Sequence, residues 1–275
     1  MASSSAKIHA MRSLLLLLIP FLLSGCAKQI PPAQPVDPDA PITVGWRLVP
    51  GMELRAKVET THAVSDDRAW RKEAWRYLVR RMDEHGAVTL EGRLTDLDAG
   101  LSHDDQPLTP SSLKRAVRAE SERVQSHGVQ LRIVLDGTVS NLDATAWDDA
   151  LGHLLLSLAL PVGPIRPGAT WTDLTPARAV SGLLPSDLGV TLLGEQRFVG
   201  VIYKDNRWLA EIAYNGRVTP DDEKVTDLVL WGKTHWDLSR GVLYQRELIL
   251  TQPDGGRAAE EIGALTVELS IEVAR

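Results

Sequence analysis

The stretch Leu192–Val218, LLGEQRFVGVIYKDNRWLAEIAYNGRV, reads as two strands around a turn. In its second half Trp208, Ala210, Ile212 and Tyr214 alternate with Leu209, Glu211 and Ala213. That period of two sends successive side chains to opposite faces of a strand. Lys204-Asp205-Asn206 between the halves is turn chemistry. The same grammar continues downstream. VTDLVLWGKTHWDL (225–238), the break Ser239-Arg240-Gly241, VLYQRELILTQ (242–252), the break Pro253-Asp254-Gly255-Gly256 and IGALTVELSIEVAR (262–275) follow in turn. Together they predict a five-stranded antiparallel meander from about Thr191 to Val273.

Upstream, MELRAKVETTHAV (52–64) reads as a strand, and EAWRYLVRRM (73–82) and AVTLEGRLTDL (87–97) as a hairpin around Asp83-Glu84-His85-Gly86. Trp70, Ala74, Leu78 and Met82 recur every four residues, which also suits a helix, but the short Gly-containing turn favours strand. Ser111 or Ser112 caps a helix with Leu113, Ala116, Val117 and Val124 facing inward and Gly128 as its stop. VQLRIVLDGTVSNLD (129–143) reads as strand, Asp136-Gly137 turn, strand. Asp143 or Thr145 then caps a second helix, AWDDALGHLLLSLAL (146–160), ended by Pro161. The expected fold is α+β, mostly antiparallel: curved meander or half-barrel sheets with two helices packed on one face. Residues 45–275 read as a single β-rich globular domain, with 45–160 and 161–275 as two similar halves.

The N-terminus carries a different signal. Residues 1–25 hold Lys7 and Arg12 and no acidic residue, and their apolar run Leu14–Leu23 is interrupted by Pro20. A transmembrane helix needs about 20 apolar residues, so a charged start with a short apolar run reads as a secretory leader. The run ends in Leu23-Ser24-Gly25-Cys26, with the chain's one cysteine. This resembles the lipobox of bacterial lipoproteins. The resemblance implies that Leu23, Ser24 and Gly25 are read by the signal peptidase and that Cys26 carries the lipid, palmitate included. Ala27 follows where Asp would favour inner-membrane retention, which implies an outer-membrane address facing the periplasm. Acyl chains on one residue hold firmly when there are two or more. Residues 26–44, with Pro31, Pro32, Pro35, Pro38 and Pro41, form an extended Pro-rich tether.

The formal net charge is −6, and loss of Lys7 and Arg12 with the leader makes it more negative. That balance disfavours nucleic acid. The lipidated cysteine leaves no thiol for a disulfide, a metal or catalysis. His62, His85, His103, His127, His153 and His235 show no metal-ligand spacing, and the Asp/Glu pairs are neighbours in sequence that point to opposite faces of a strand. One serine pattern invites comparison. Ser111-Ser112-Leu113-Lys114 matches S-x-x-K, and Lys233-Thr234-His235 is similar to the K-T-G of penicillin-recognising enzymes. The S-D-N element is missing and His235 stands where that family has Gly. No cofactor, metal or catalytic residue is assigned.

Eight tryptophans against two phenylalanines is the unusual count. Trp208, Trp231 and Trp236 are the candidate ligand or partner surface, against the alternative that large rings fill the core. The segment Pro161–Trp171 and the hairpins after it, to Asp237-Leu238-Ser239-Arg240-Gly241, resemble a loose group of uncharacterised secreted bacterial proteins over residues 150–252. The order of strands and helices is similar to that of half-barrel carriers of the lipoprotein-sorting type, a likeness of fold that licenses no function. The sequence therefore reads as a non-enzymatic, lipid-anchored envelope protein. It binds an apolar ligand or joins an envelope assembly. An interaction or structural lipoprotein without a cavity is the alternative, and an envelope-acting hydrolase stands behind both.

Overall fold

The computed structural model describes residues 37, 40–104, 106–108, 110–134, 136–141, 158–181, 189–222, 227–252 and 264–274. The leader, the lipobox Leu23–Cys26, and residues 142–157, which take in Trp147 and most of the second predicted helix, lie outside them. In chain order the N-terminal elements are β1 (Glu53–Val64), β2 (Asp67–Met82), β3 (Val88–His103), β4 (Gln106–Pro107), α1 (Ser111–His127), β5 (Val129–Ile133) and β6 (Val139–Asn141). The rest are β7 (Thr170–Thr172), α2 (Thr175–Ser181), β8 (Val190–Lys204), β9 (Arg207–Pro220), β10 (Leu228–Asp237), β11 (Val242–Thr251) and β12 (Ala264–Val273).

The predicted meander is present as β8 to β12. Asp205 and Asn206 take positive φ, 51° and 59°, which makes a two-residue loop of the type whose twist matches a hairpin. At the next lower turn Asp237 Oδ1 accepts the N–H of Ser239 at 2.9 Å and of Arg240 at 3.0 Å. The N-terminal hairpin is also present, and period two defeats the four-residue spacing of Trp70 to Met82. Trp75, Tyr77 and Val79 are buried while Arg76 and Arg80 are exposed.

All strands belong to one open sheet, in the order β6-β5-β3-β2-β1-β12-β11-β10-β9-β8-β7, with β4 beside β3. The seam is β1 against β12, antiparallel from Leu54↔Val273 to Ala63↔Ala264. One face carries the core: Leu54, Trp75, Leu90, Ile212, Leu230 and Leu269 are all buried. The other carries Arg55, Lys57, Arg76 and Glu268. Core packing begins upstream of Gly45, because Ile42 bridges Ile165 and is buried with Val44 and Leu48. The mostly antiparallel α+β class is the expected one. Of the helices, α2 sits on the core face with Ala177 buried, and α1 runs along the edge of β3.

Glycines make room for specific rings on the core face. A Cβ on Gly92 would fall 2.7 Å from the Tyr77 ring, and one on Gly194 would fall 2.0 Å from the Asp173 carbonyl oxygen and 2.8 Å from the Tyr214 hydroxyl. Around Gly200, on the same strand, a Cβ meets nothing within 4 Å. Gly194→Val is therefore expected to lower stability by about 1–3 kcal/mol through overpacking, with Gly200→Val close to neutral. Urea unfolding midpoints of the two variants measure the difference.

Candidate functional site

Burial along the core face is uneven. On β1, Leu54, Ala56 and Val58 are buried, but Thr60 and Val64 are half-buried and His62 is exposed. On β2, Val79, Tyr77, Trp75 and Glu73 are buried, while Arg71 and Ala69 are half-buried. On β3, Leu90 and Leu94 are buried, Leu97 and Ala99 are half-buried, and Leu101 is 40% exposed. The N-terminal strands thus open at the end away from the Asp83–Gly86 turn. Glu73 marks the boundary: its carboxylate accepts the Trp75 indole N–H at 2.7 Å and lies 2.6 Å from Arg71.

A groove of about 600 Å³ begins at this open end, between β3 and α1. Its origin is geometric. β5 pairs with β3 only from Val88 to Gly92, and β4 only at Ser102 and His103. Between those stretches α1 takes the place of a strand along the edge, one of the ways proteins cover an unpaired edge. A neighbouring strand would stand about 4.8 Å away, whereas a helix packs with its axis about 10 Å off, and the side chains between must fill the difference. Here Val117 and Ser121 face the gap, and they are too small to fill it. Its lining takes in both faces of the β3 edge: Leu97 and Ala99 on the core side, the Trp70 indole, which lies on Gly100, on the outer side, and Val117 of α1. The polar lining is Asp98, Lys114, Arg118, Ser121 and Glu122, with Arg118 bonded to Glu122 at 2.9 Å. Sequence reasoning placed α1 and its Gly128 stop, at φ 64°, but not the groove. Ala116, expected to face inward, is exposed, because so polar a helix uses only the stripe through Leu113 and Val117.

The structure does not bring Trp208, Trp231 and Trp236 onto one surface. Trp236 is 1% exposed and meets Trp46 edge-on at 4.7 Å, so it belongs to the core, not to a surface. Trp231 lies on the outer face, 50% exposed, because an odd spacing along β10 puts the two rings on opposite sides. Trp208 is half-buried against Tyr203 at 4.9 Å. Lys233 is on the outer face of β10 beside Glu211 at 3.5 Å, while Ser111 starts α1 at the β3 edge. Five strand spacings separate those two, on the order of 24 Å, so the serine pattern does not assemble. His103 bonds Asp67 at 2.8 Å in an exposed turn. Among the described residues no group of three or more His, Cys, Asp or Glu is arranged to hold a metal.

A second polar cluster is wholly buried. Arg246 is fully buried, with Nη2 3.6 Å from Asp173 Oδ2. Asp173 also accepts the Gln196 side-chain N–H at 2.5 Å and the backbone N–H of Thr175 at 3.0 Å, which caps α2. The Tyr214 hydroxyl donates to the Asp173 carbonyl at 3.2 Å. Burial pushes the Arg246 guanidinium pKa down against the pull of Asp173, and burial followed by the Asp173 charge pushes the Tyr214 phenol up. With no solvent contact, the cluster fixes the connector before α2 to the middle of the sheet.

No family model matches this chain, and no curated protein does. Solved structures do. Lipovitellin, from work on lipid–protein interactions, is 14% identical over 82% of this chain with a TM-score of 0.43, and this chain spans 25% of its length. An exported protein with a YmcC-like fold from Bacteroides fragilis is 10% identical over 84% of this chain and 99% of its own, with a TM-score of 0.30. An outer membrane lipoprotein-sorting protein domain from Vibrio parahaemolyticus is 9% identical over 80% of this chain and 85% of its own, with a TM-score of 0.19. Among the described residues no helix is long and apolar enough to cross a membrane.

Two measurements follow from these placements. Arg246→Met is expected to cost about 3–5 kcal/mol, since it leaves the Asp173 carboxylate buried without its cation. Adding Asp173→Asn should recover part of that loss in urea melts. Acrylamide should quench Trp231 readily and Trp75 and Trp236 poorly, so that of the described tryptophans Trp231→Phe removes the largest share of quenchable emission.

Proposed function

We propose that this chain is a non-enzymatic, lipid-anchored envelope protein that holds the acyl part of an apolar ligand in the groove between α1 and β3. The observation that carries the reading is the open end of the core face, which leads into that groove. Leu97 and Ala99 on the core face and Val117 of α1 offer apolar surface there that the protein leaves half-covered, with Leu101 exposed beyond them. Ligand pockets of about 300–1,000 Å³ with apolar linings and a few polar groups are the general rule, and the groove lies in that range. Attachment comes from Cys26 through the lipobox, the Pro-rich tether holds the domain off the bilayer, and the address is the outer membrane on its periplasmic side. A second reading, a protein-interaction role, is favoured by one feature, the half-exposed Trp231 on the outer face, with exposed Leu193 two strands away on the same face.

Two experiments test the proposal. Metabolic labelling with a palmitate analogue should mark the wild-type chain and leave Cys26→Ser unlabelled; a labelled variant would remove the anchor. Native mass spectrometry of the full chain, extracted in mild detergent, should show it with one bound lipid beyond the anchor. A mass without that lipid would sink the carrier reading and leave the interaction reading standing.

A further inference from the structure

The outer face of the N-terminal strands gathers arginine at one end. Near the Asp83–Gly86 turn, Arg55 of β1 stands opposite Arg76 of β2, and Arg76 stands opposite Arg93 of β3. All three are exposed. Like charges directly opposite one another across strands are unfavourable, and here three follow in succession. Closer to the turn, Arg81 and Arg132 stand on either side of Thr89, and Arg80 donates to Glu91 at 2.7 Å. The carboxylates on this corner are fewer. Arg55 at 3.2 Å and Arg76 at 2.5 Å share Glu53, Arg80 and Arg93 share Glu91, and Arg132 takes Asp83 at 2.8 Å. Glu272 ends the row beside Arg55. Arg76 and Arg80 hold the Glu53 and Glu91 carboxyls below the usual range, so both stay charged. Six arginines against these four carboxylates leave a positive corner on a chain whose net charge is −6.

The chain also reaches the sheet at this end. The Arg47 N–H bonds the Gly241 carbonyl of the β10–β11 turn, the Gly51 N–H bonds the Val79 carbonyl, and Glu53 then opens β1. We propose that the Arg55–Arg76–Arg93 corner docks on the anionic phosphate surface of the bilayer that carries the anchor. This rests on the lipid-anchor reading above and adds an orientation to it: the open end of the core face, at the other end of these strands, is turned away from that bilayer. A tether that keeps the domain clear of the membrane leaves it free to turn, and the stretch from Cys26 to Ile42 reaches about 50 Å when extended. Charge then decides which end turns inward. Guanidinium forks suit phosphate oxygens, and Arg55 spends only its Nε on Glu53. An acidic protein would answer the charge equally well; the chain's entry beside the arginines is what favours the bilayer.

The test uses the full lipidated chain in nanodiscs of phosphatidylcholine, with and without phosphatidylglycerol, and reads the rate of phenylglyoxal modification at each arginine by mass spectrometry. With phosphatidylglycerol, Arg55, Arg76 and Arg93 should react about tenfold more slowly, while the exposed Arg118 of α1 and Arg197 of β8 react alike in both discs. Salt at about 1 M, which shortens the screening length to about 3 Å, should abolish the difference. Arg76→Gln should speed modification of Arg55 and Arg93 in the anionic discs about fivefold, the weight of one arginine near such a surface. The lipid and salt comparisons on the wild-type chain stand whether or not that variant folds. Equal rates in the two discs, or slowing shared by Arg118 and Arg197, would overturn the docking and leave the anchor intact. Protection by soluble polyglutamate with none from phosphatidylglycerol would hand the corner to an acidic protein and overturn it too. A chain that does not stay with the discs would overturn the anchor and the docking together.

Discussion

The pairing of β1 with β12 holds this molecule together. The chain begins its sheet in the middle, builds outward through β2, β3, β5 and β6, crosses to the far edge, and returns strand by strand until β12 lies beside β1. Without that seam there are two separate meanders, each with a bare central edge and half of a core. With it, Leu54, Ala56 and Val58 share one apolar face with Leu269 and Ile271. The partners at the seam are separated by nearly the whole domain in sequence, so the closure entropy must be met before the shared core rewards it. A topology of this kind folds slowly for its size.

A sheet that begins in its middle has two outer edges to manage, and the two sides do so differently. On the C-terminal side β7 covers only Glu195–Arg197 of β8, and a bulge at Phe198/Gly200 disturbs the edge beyond. On the N-terminal side α1 covers the stretch of β3 that β5 leaves behind. A helix satisfies the purpose of hiding the edge but not the spacing of a strand, and the difference is the groove. The candidate site is thus a by-product of edge protection, available because β5 is short and because Val117 and Ser121 are small.

The parts of this structure set by local chemistry were legible in the sequence. Alternation along β9 and β10, the Asp205-Asn206 loop and the Ser111 to Gly128 limits of α1 all depend on neighbours within a few residues. The alternation also separated Trp231 from Trp236. It could not say which of them faced the core, because that depends on Trp46 arriving from elsewhere to pack on Trp236. The seam, the groove and the Asp173–Arg246 contact all join residues distant in the chain, and no periodicity reports them. The groove left one local trace, an unusually polar helix whose apolar stripe is thinner than its sequence suggests, with Ala116 exposed beside it.

The buried cluster explains how the long crossover finds its place. The connector reaches the core face from the far edge of the sheet, where aliphatic side chains alone would accept it at several positions. Asp173 meets Gln196 of β8, Arg246 of β11 and the first turn of α2 at once, and Tyr214 lies over Gly194 and Gly216 to reach its carbonyl. A buried ion pair contributes little net stability, but a slipped connector would strand Arg246 without its carboxylate, a cost no aliphatic contact offsets. Specificity is therefore concentrated in the C-terminal strands, where the core face is sealed. The N-terminal strands carry the open end and the groove, and a weakly packed α1 there costs the fold little.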